Sequence, residues 1–260
     1  MTRLLRSSYG LKGLAALLLL LAWEISARLF RIEGFPPAST ALAAIPDLAA
    51  DPQAVTGLLA SLARMAVGFA TAAVVGVFIG IMMGRSAAVE AAVAPLLMIF
   101  YPVPKAALMP LLMLWLGIGD LSKTFVIALG CSIPIIYHSF EGARSVEPKM
   151  LWSASAMGMS RFVQIPKIVL PASMPDIFIG LHTGLILAFI TMVTSEMIVR
   201  QSGIGNILFN SMDMARYDIV YGTIVVISVI GLIFDFVFRQ VRQAVLKWSD
   251  HDDRLVAGHS

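Results

Sequence analysis

The chain has 260 residues, 58% of them hydrophobic and 13% charged, with a mean hydropathy of +0.86. A soluble domain of that length carries about a quarter charged residues, so the composition excludes a soluble globular protein and points to one all-α polytopic membrane domain spanning residues 1–260. The net charge of +3 and pI near 9.2 do not argue for nucleic acid as a partner, because basic excess in a membrane protein gathers in cytoplasmic loops.

Apolar runs long enough to cross about 30 Å of hydrocarbon predict six spans: 11–30, 58–84, a proline-broken 89–116, 123–140, 176–199 and 219–241. The core is thus about 58–246. Arg3, Arg6 and Lys12 ahead of a leucine-rich run have the form of a secretory signal. The run continues to Phe30, however, and Leu29, Phe30 and Arg31 make a poor cleavage site, so the segment reads as an uncleaved span. In the second span Gly68, Ala72, Gly76, Gly80 and Gly84 recur every fourth residue, as do Gly180 and Gly184 in the fifth. Small residues at that spacing predict close helix packing, within or between subunits.

The third span is broken by Pro102, Pro104 and Pro110. Each lacks an amide donor, and carbonyls freed at membrane depth need protein or water around them. Lys105 in that break has two readings: a cation beside a translocation path or gate, or a structural lysine holding the freed carbonyls. Glu196 is equally double. It can serve an outer gate, or it can form a helical ion pair with Arg200 four residues on.

With the amino terminus inside, twelve basic residues fall on the cytoplasmic side: Arg3, Arg6, Lys12, Arg85, Arg144, Lys149, Arg161, Lys167, Arg239, Arg242, Lys247 and Arg254. Five fall outside: Arg28, Arg31, Lys123, Arg200 and Arg216. That asymmetry predicts both termini in the cytoplasm, with a frayed tail at 249–260.

No GxxxxGK[ST], HExxH or nucleophile–base arrangement is present, so neither a phosphate-cradling loop nor a catalytic site is predicted. His138, His182, His251 and His259 lack ligand spacing. No metal site is expected, His182 reads as a packing residue, and His251 and His259 read as solvated. The lone Cys131 excludes an intrachain disulfide and reads as a small packing residue. The fifteen methionines read as core filling.

Between the fourth and fifth spans lies "SASAMGMSRFVQIPKIVLPASMP", 153–175, polar and proline-rich. Its expected form is a short helix ended by Gly158, a second helix capped by Ser160 and stopped by Pro166, and prolines Pro171 and Pro175 opening the fifth span. This elbow, about 150–171, would show Phe162, Val163 and Ile165 beside Arg161 and Lys167. Physical reading alone leaves two roles open: docking on a soluble protein, or lying at anionic headgroups.

Ala154, Gly158, Ile168, Leu170 and Pro171 fall at the spacing of the cytoplasmic signature of ATP-binding-cassette importer permeases: EAA, three residues, glycine, nine residues, I-x-L-P. The segment resembles that signature, departing from it at Trp152 and Ser153 and in carrying Pro166. "FPPASTAL", "PVPKAALMPLLMLWLGIGDLSK" and "SEMIVRQSGIGNIL" are similar to stretches of the branch that handles sulfonates, taurine, nitrate and bicarbonate. The resemblance implies the type I importer permease fold and a homodimer in the bacterial inner membrane. It implies two ATPase subunits that bind ATP with Mg, and a periplasmic or lipid-anchored substrate-binding protein. On this reading the chain binds no cofactor and does no bond chemistry. The elbow residues Ala154, Gly158, Arg161, Ile168, Leu170 and Pro171 would couple ATPase closure to the spans, with Pro104, Lys105 and Glu196 as path or gate elements. The cargo would be a small anion or, alternatively, an aromatic acid or pyrimidine-type vitamin precursor. A self-powered secondary transporter is the rival, with Glu24, Lys105, Glu196 and Asp235 as its coupling candidates, and a non-transporting scaffold is a second.

Overall fold

The computed structural model describes residues 8–248, and every regular element among them is helical. Arg3, Arg6 and the tail from Ser249, with His251 and His259, lie outside the described residues. The first span is α1, Ser8–Phe30. Two short helices, α2 (Ala38–Ala43) and α3 (Ile45–Ala50), lead into α4, Pro52–Arg85. The third span is a bent pair. Helix α5, Ala87–Phe100, is followed by a 3-10 turn, Lys105–Leu108, and α6, Met109–Leu116, with an 87° change of direction. Then come α7 (Asp120–Ser145), α8 (Pro148–Ala156), α9 (Arg161–Gln164), α10 (Leu170–Val199), α11 (Ile204–Asp213) and α12 (Tyr217–Val245). Among the described residues, five helices are long and apolar enough to cross a membrane, or six if the bent pair is one span.

Helix α4 begins six residues before the apolar run suggests. Asp51 takes the N-cap position, its carboxylate accepting from the Gln53 amide at 2.9 Å, and Pro52 fits the first turn. Ser86 separates α4 from α5 and accepts from the Val89 amide.

Helix α7 is the centre of the bundle, packed between α4 and α10. The small-residue stripe of α4 makes this packing possible within one chain. A Cβ on Gly76 would stand 2.9 Å from Ile135, one on Gly80 2.5 Å from the Ile136 carbonyl, and one on Gly84 2.7 Å from Ala143, all on α7. Gly180 and Gly184 of α10 meet the other side of α7 at His138 and Ile135 in the same way. The shared core joins Met65, Ala72, Ile127, Cys131, Ile135, Ala188 and Met192. Cys131 is fully buried there, its thiol donating to the Ile127 carbonyl. Helices α1 and α12 bury little of their surface and turn apolar side chains outward, as lipid-facing helices do.

The proline readings around the fifth span need correction. Pro166 does not stop the helix and Pro175 lies inside α10, while Pro171 keeps the expected place in the first turn of α10. The helical run is continuous from Arg161 to Val199, passing through a π turn at Ile165–Val169. A proline removes one amide and crowds the carbonyl four residues back. The wider π turn, closed by the Leu170 amide on the Ile165 carbonyl, absorbs both defects without a break.

Candidate functional site

Three assemblies stand out: the elbow at one end of the bundle, a charged cluster at the other, and the bend in the third span. In the elbow, α8 closes with the Met159 amide on the Ala154 carbonyl at 3.0 Å and the Gly158 amide on the Ser155 carbonyl at 2.9 Å. This paired closure requires a left-handed residue, and Gly158 has φ +83°. Open space surrounds the position where its Cβ would be, so backbone conformation, not packing, demands glycine. Ser160 starts α9 through its carbonyl, which accepts from the Val163 and Gln164 amides, while its hydroxyl makes no cap bond. Buried Gln164 stitches the elbow, donating to the Ser155 hydroxyl at 2.8 Å and the Met159 carbonyl at 3.1 Å.

Ala154 is buried, and Ile168 and Leu170 pack against a cluster holding Ile81, Ala143, Val146, Leu151, Val169 and Ile177. They therefore anchor the elbow to α4, α7 and α10. Ile165 joins them instead of projecting. The exposed face consists of Arg161, Phe162 (86% exposed), Val163, Met157 and Trp152. Trp152, the departure from the signature's glutamate, thus lies on the outward face.

The bend in the third span is held by Lys105. Its ammonium donates to the carbonyls of Phe100 at 2.7 Å and Tyr101 at 2.9 Å, where Pro104 interrupts the ladder. Pro110 falls in the first turn of α6, where it is tolerated.

At the far end, α4, α7, α10 and the start of α11 meet around a buried ion pair. Arg64 reaches Glu196 at 2.5 Å and Asp120 at 2.6 Å, and donates to the Ser202 hydroxyl at 2.8 Å. The other Glu196 oxygen accepts from the Ser61 hydroxyl at 2.8 Å and the Gly205 amide at 3.1 Å. Lys123 is fully buried and donates to the Ser202 carbonyl at 3.1 Å. Glycine is forced at two places. The Glu196 carboxylate occupies the space a Gly203 side chain would need, and Gly203 has φ +112°. A Cβ on Gly205 would stand 2.7 Å from the Val193 carbonyl. The amides opening α11 meet a carboxylate and a serine hydroxyl, the Ile204 amide reaching Ser61 at 2.9 Å. This is the polarity a helix N-terminus favours.

The helical ion pair of Glu196 with Arg200 does not form. Arg200 has φ +50° and ends α10, so its side chain leaves the helix track, pairs with Asp213 at 3.1 Å and stacks on Phe209 at 3.5 Å. Lys123 is likewise not an exterior loop charge. Sequence reading assigned no role to Arg64, which lies within the second predicted span, and it missed Ser61, Asp120 and Ser202. An arginine within an apolar run was the usable signal, since such residues face protein and seek a counter-charge. The remaining ionisable candidates are also engaged. Glu24 pairs with Arg28 at 2.6 Å, and Asp235 with His182 and Arg239, both at 2.6 Å. His182 also stacks on Phe238, so it ties α10 to α12.

Residues 72–247 match the family described as binding-protein-dependent transport system inner membrane component. A putative aliphatic sulfonates transport permease of Bacillus subtilis is 30% identical over 94% of this chain and 90% of its own length. The taurine transport system permease of Escherichia coli is 30% identical over 74% of this chain and 70% of its own. The nitrate import permease of a Synechocystis strain is 29% identical over 68% and 65%. With an all-helical bundle of five to six candidate spans and matches over most of its length, this chain belongs to the family of binding-protein-dependent transport system inner membrane components.

Proposed function

We propose that the chain is the permease subunit of an ATP-driven importer that carries a small anion inward. It works as a homodimer with two ATPase subunits and a periplasmic or lipid-anchored binding protein. The observation that carries this reading is the elbow: a rigidly closed turn, anchored by Ile168 and Leu170, with Phe162 projecting beside Arg161. The printed names of the sulfonate, taurine and nitrate relatives support the anion. ATP and Mg are bound by the partner, not by this chain. ATPase closure pushes on the elbow, and the buried contacts of Ala154, Ile168 and Leu170 pass that push to α4, α7 and α10. Pro104 and Lys105 frame the path, and the Arg64–Glu196 cluster closes its outer end.

The test is uptake by the reconstituted complex, with ATP hydrolysis followed in parallel. Gly158→Val forces a β-branched residue into the left-handed region, at about 1–2 kcal/mol, and should reduce coupled uptake roughly fivefold to thirtyfold while the protein still inserts. Gly158→Asn tolerates that conformation and should stay close to wild type. Equal uptake by the two variants would remove the elbow from the mechanism.

The proposed orientation places the elbow and both termini in the cytoplasm. With Lys123 buried, only Arg28, Arg31, Arg200 and Arg216 remain of the exterior basic set, which sharpens the asymmetry. In a Cys131→Ala background, a membrane-impermeant thiol reagent applied to intact cells should label Arg31→Cys and spare Arg161→Cys. The opposite pattern would invert the topology.

A further inference from the structure

A cavity of about 240 Å³ lies between α3, α4, α11 and α12. Its wall includes Ile204, whose amide bonds the Ser61 hydroxyl, so it backs onto the Arg64–Glu196 cluster. Ala54, Ile204 and Thr223 are buried and form its depth, while Ala49 and Val55 are exposed at its mouth. Thr223 alone among the lining residues has a polar side chain; the others are alanine, valine, leucine or isoleucine. In Thr56, Thr71, Thr183 and Thr194 the hydroxyl turns back onto the carbonyl four residues earlier, as helical threonines do. Thr223 makes no such bond. It is 1% exposed, and its hydroxyl has no hydrogen-bond partner among the described residues.

A buried water needs two to four polar partners, and an apolar cavity of about 150 Å³ stays dry yet takes up benzene. With a single hydroxyl this cavity holds water poorly, and it is large enough for a hydrocarbon occupant. The hydroxyl in turn needs one acceptor, since polar groups surrounded by hydrocarbon must be paired. Depth selects that acceptor. Helix α12 has 29 residues, about 43 Å in length. That is close to a whole bilayer with its interfaces, whose hydrocarbon begins about 7 Å in from the surface. Thr223 stands about 9 Å from the start of the helix, at the level of the acyl esters. We infer that the cavity is a phospholipid site: an acyl chain enters between Ala49 and Val55, and its ester carbonyl accepts from the Thr223 hydroxyl. The bound chain fills the space between α3 and α11, directly behind the Glu196 cluster. The site serves the surrounding lipid and stands whatever the chain imports.

The experiment places the full-length chain in phosphatidylcholine nanodiscs doped with a phosphatidylcholine that carries a diazirine on one acyl chain. The probe is used in two forms, ester-linked and ether-linked. The ether keeps the chain and the phosphate but lacks the carbonyl. After illumination, mass spectrometry reads the label at Val55 and Val226 of the cavity and at Leu29, which α1 turns outward. The ester probe should label the cavity about twofold to tenfold more than the ether probe, the range of one net hydrogen bond. At Leu29 the two probes should label equally. Thr223→Val keeps the side chain's shape, removes the hydroxyl, and should bring the cavity ratio to one. Ala49→Phe closes the mouth at an exposed position, so folding is spared, and should cut the label at Val226 by both probes to the Leu29 level. Ala54→Leu narrows the depth and should do the same. Equal labelling of the wild-type cavity by the two probes would overturn the site, as would a preference that survives Thr223→Val. Label that persists at Val226 in both Ala49→Phe and Ala54→Leu would overturn it too. A wild-type cavity that takes no label, as when a second copy of the chain covers it, would equally sink it.

Discussion

Replacing Arg64 with methionine should destabilise the folded chain by about 3–5 kcal/mol, the cost of leaving one partner of a buried ion pair uncompensated. Arg64 and Glu196 are both almost fully buried, and they join α4 to α10 across 132 positions of sequence. Without the guanidinium, Glu196 keeps Ser61 and the Gly205 amide but loses its hydrogen-bonded counter-charge, and the Ser202 hydroxyl keeps only the Lys123 ammonium at 3.3 Å as donor. The pair with Asp120 adds little to this figure, because that carboxylate is 73% exposed and water screens it. Glu196→Gln should cost less than Arg64→Met, since the amide oxygen can still accept and Arg64 retains Asp120. The double variant should recover part of the single Arg64→Met loss, because the Glu196 charge is no longer buried without its guanidinium, although buried Lys123 keeps the recovery partial. Thermal unfolding of the purified protein in nanodiscs, compared across the three variants, measures the coupling. Strict additivity would mean that the two side chains do not act as a pair.

The long spans were legible because hydrocarbon demands continuous apolar runs of about 20 residues, a signal carried by composition alone. The tight turn of the elbow was legible for a different reason: a glycine at its helix end is a local requirement of backbone conformation. The cluster around Glu196 was not legible, because its members come from four helices and local spacing suggests the wrong pairing. An acid and a base four residues apart pair on a helix only if the helix reaches the second residue, and α10 ends at Arg200. The Gly-x-Gly stretch after it could be seen in the sequence but not explained there. Its physical reason, a carboxylate filling the space beside Gly203, depends on tertiary contact. Pro166 failed as a stop signal because a π turn can satisfy the defect that a proline creates.

Gly80→Val should be the most damaging change in the helix-packing stripe, with a cost at or above the roughly 1–3 kcal/mol usual for overpacking. What decides this is the kind of atom in the way. A Cβ at Gly80 would stand 2.5 Å from the Ile136 carbonyl oxygen, 2.5 Å from the Ser139 Cβ and 2.9 Å from the Phe140 amide nitrogen. Two of these are backbone, so no rotamer change clears the space, and α4 and α7 must separate. At Gly76 the obstacle is the Ile135 side chain, 2.9 Å away, which can move, so Gly76→Ala should cost less. Gly119→Ala provides the control, since open space surrounds it and its φ of 177° is ordinary extended backbone. Its expected effect is within about 0.5 kcal/mol. A second change separates steric causes from loss of the native helix pair. Ser139→Gly removes one of the three obstructing atoms, so it should rescue Gly80→Ala in part and Gly80→Val hardly at all. Melting temperatures of these single and double variants in nanodiscs test the ordering. A Gly80→Val protein that melts with wild type would show that α4 and α7 are not in contact as described, and the seat of the Arg64 cluster would have to be redrawn.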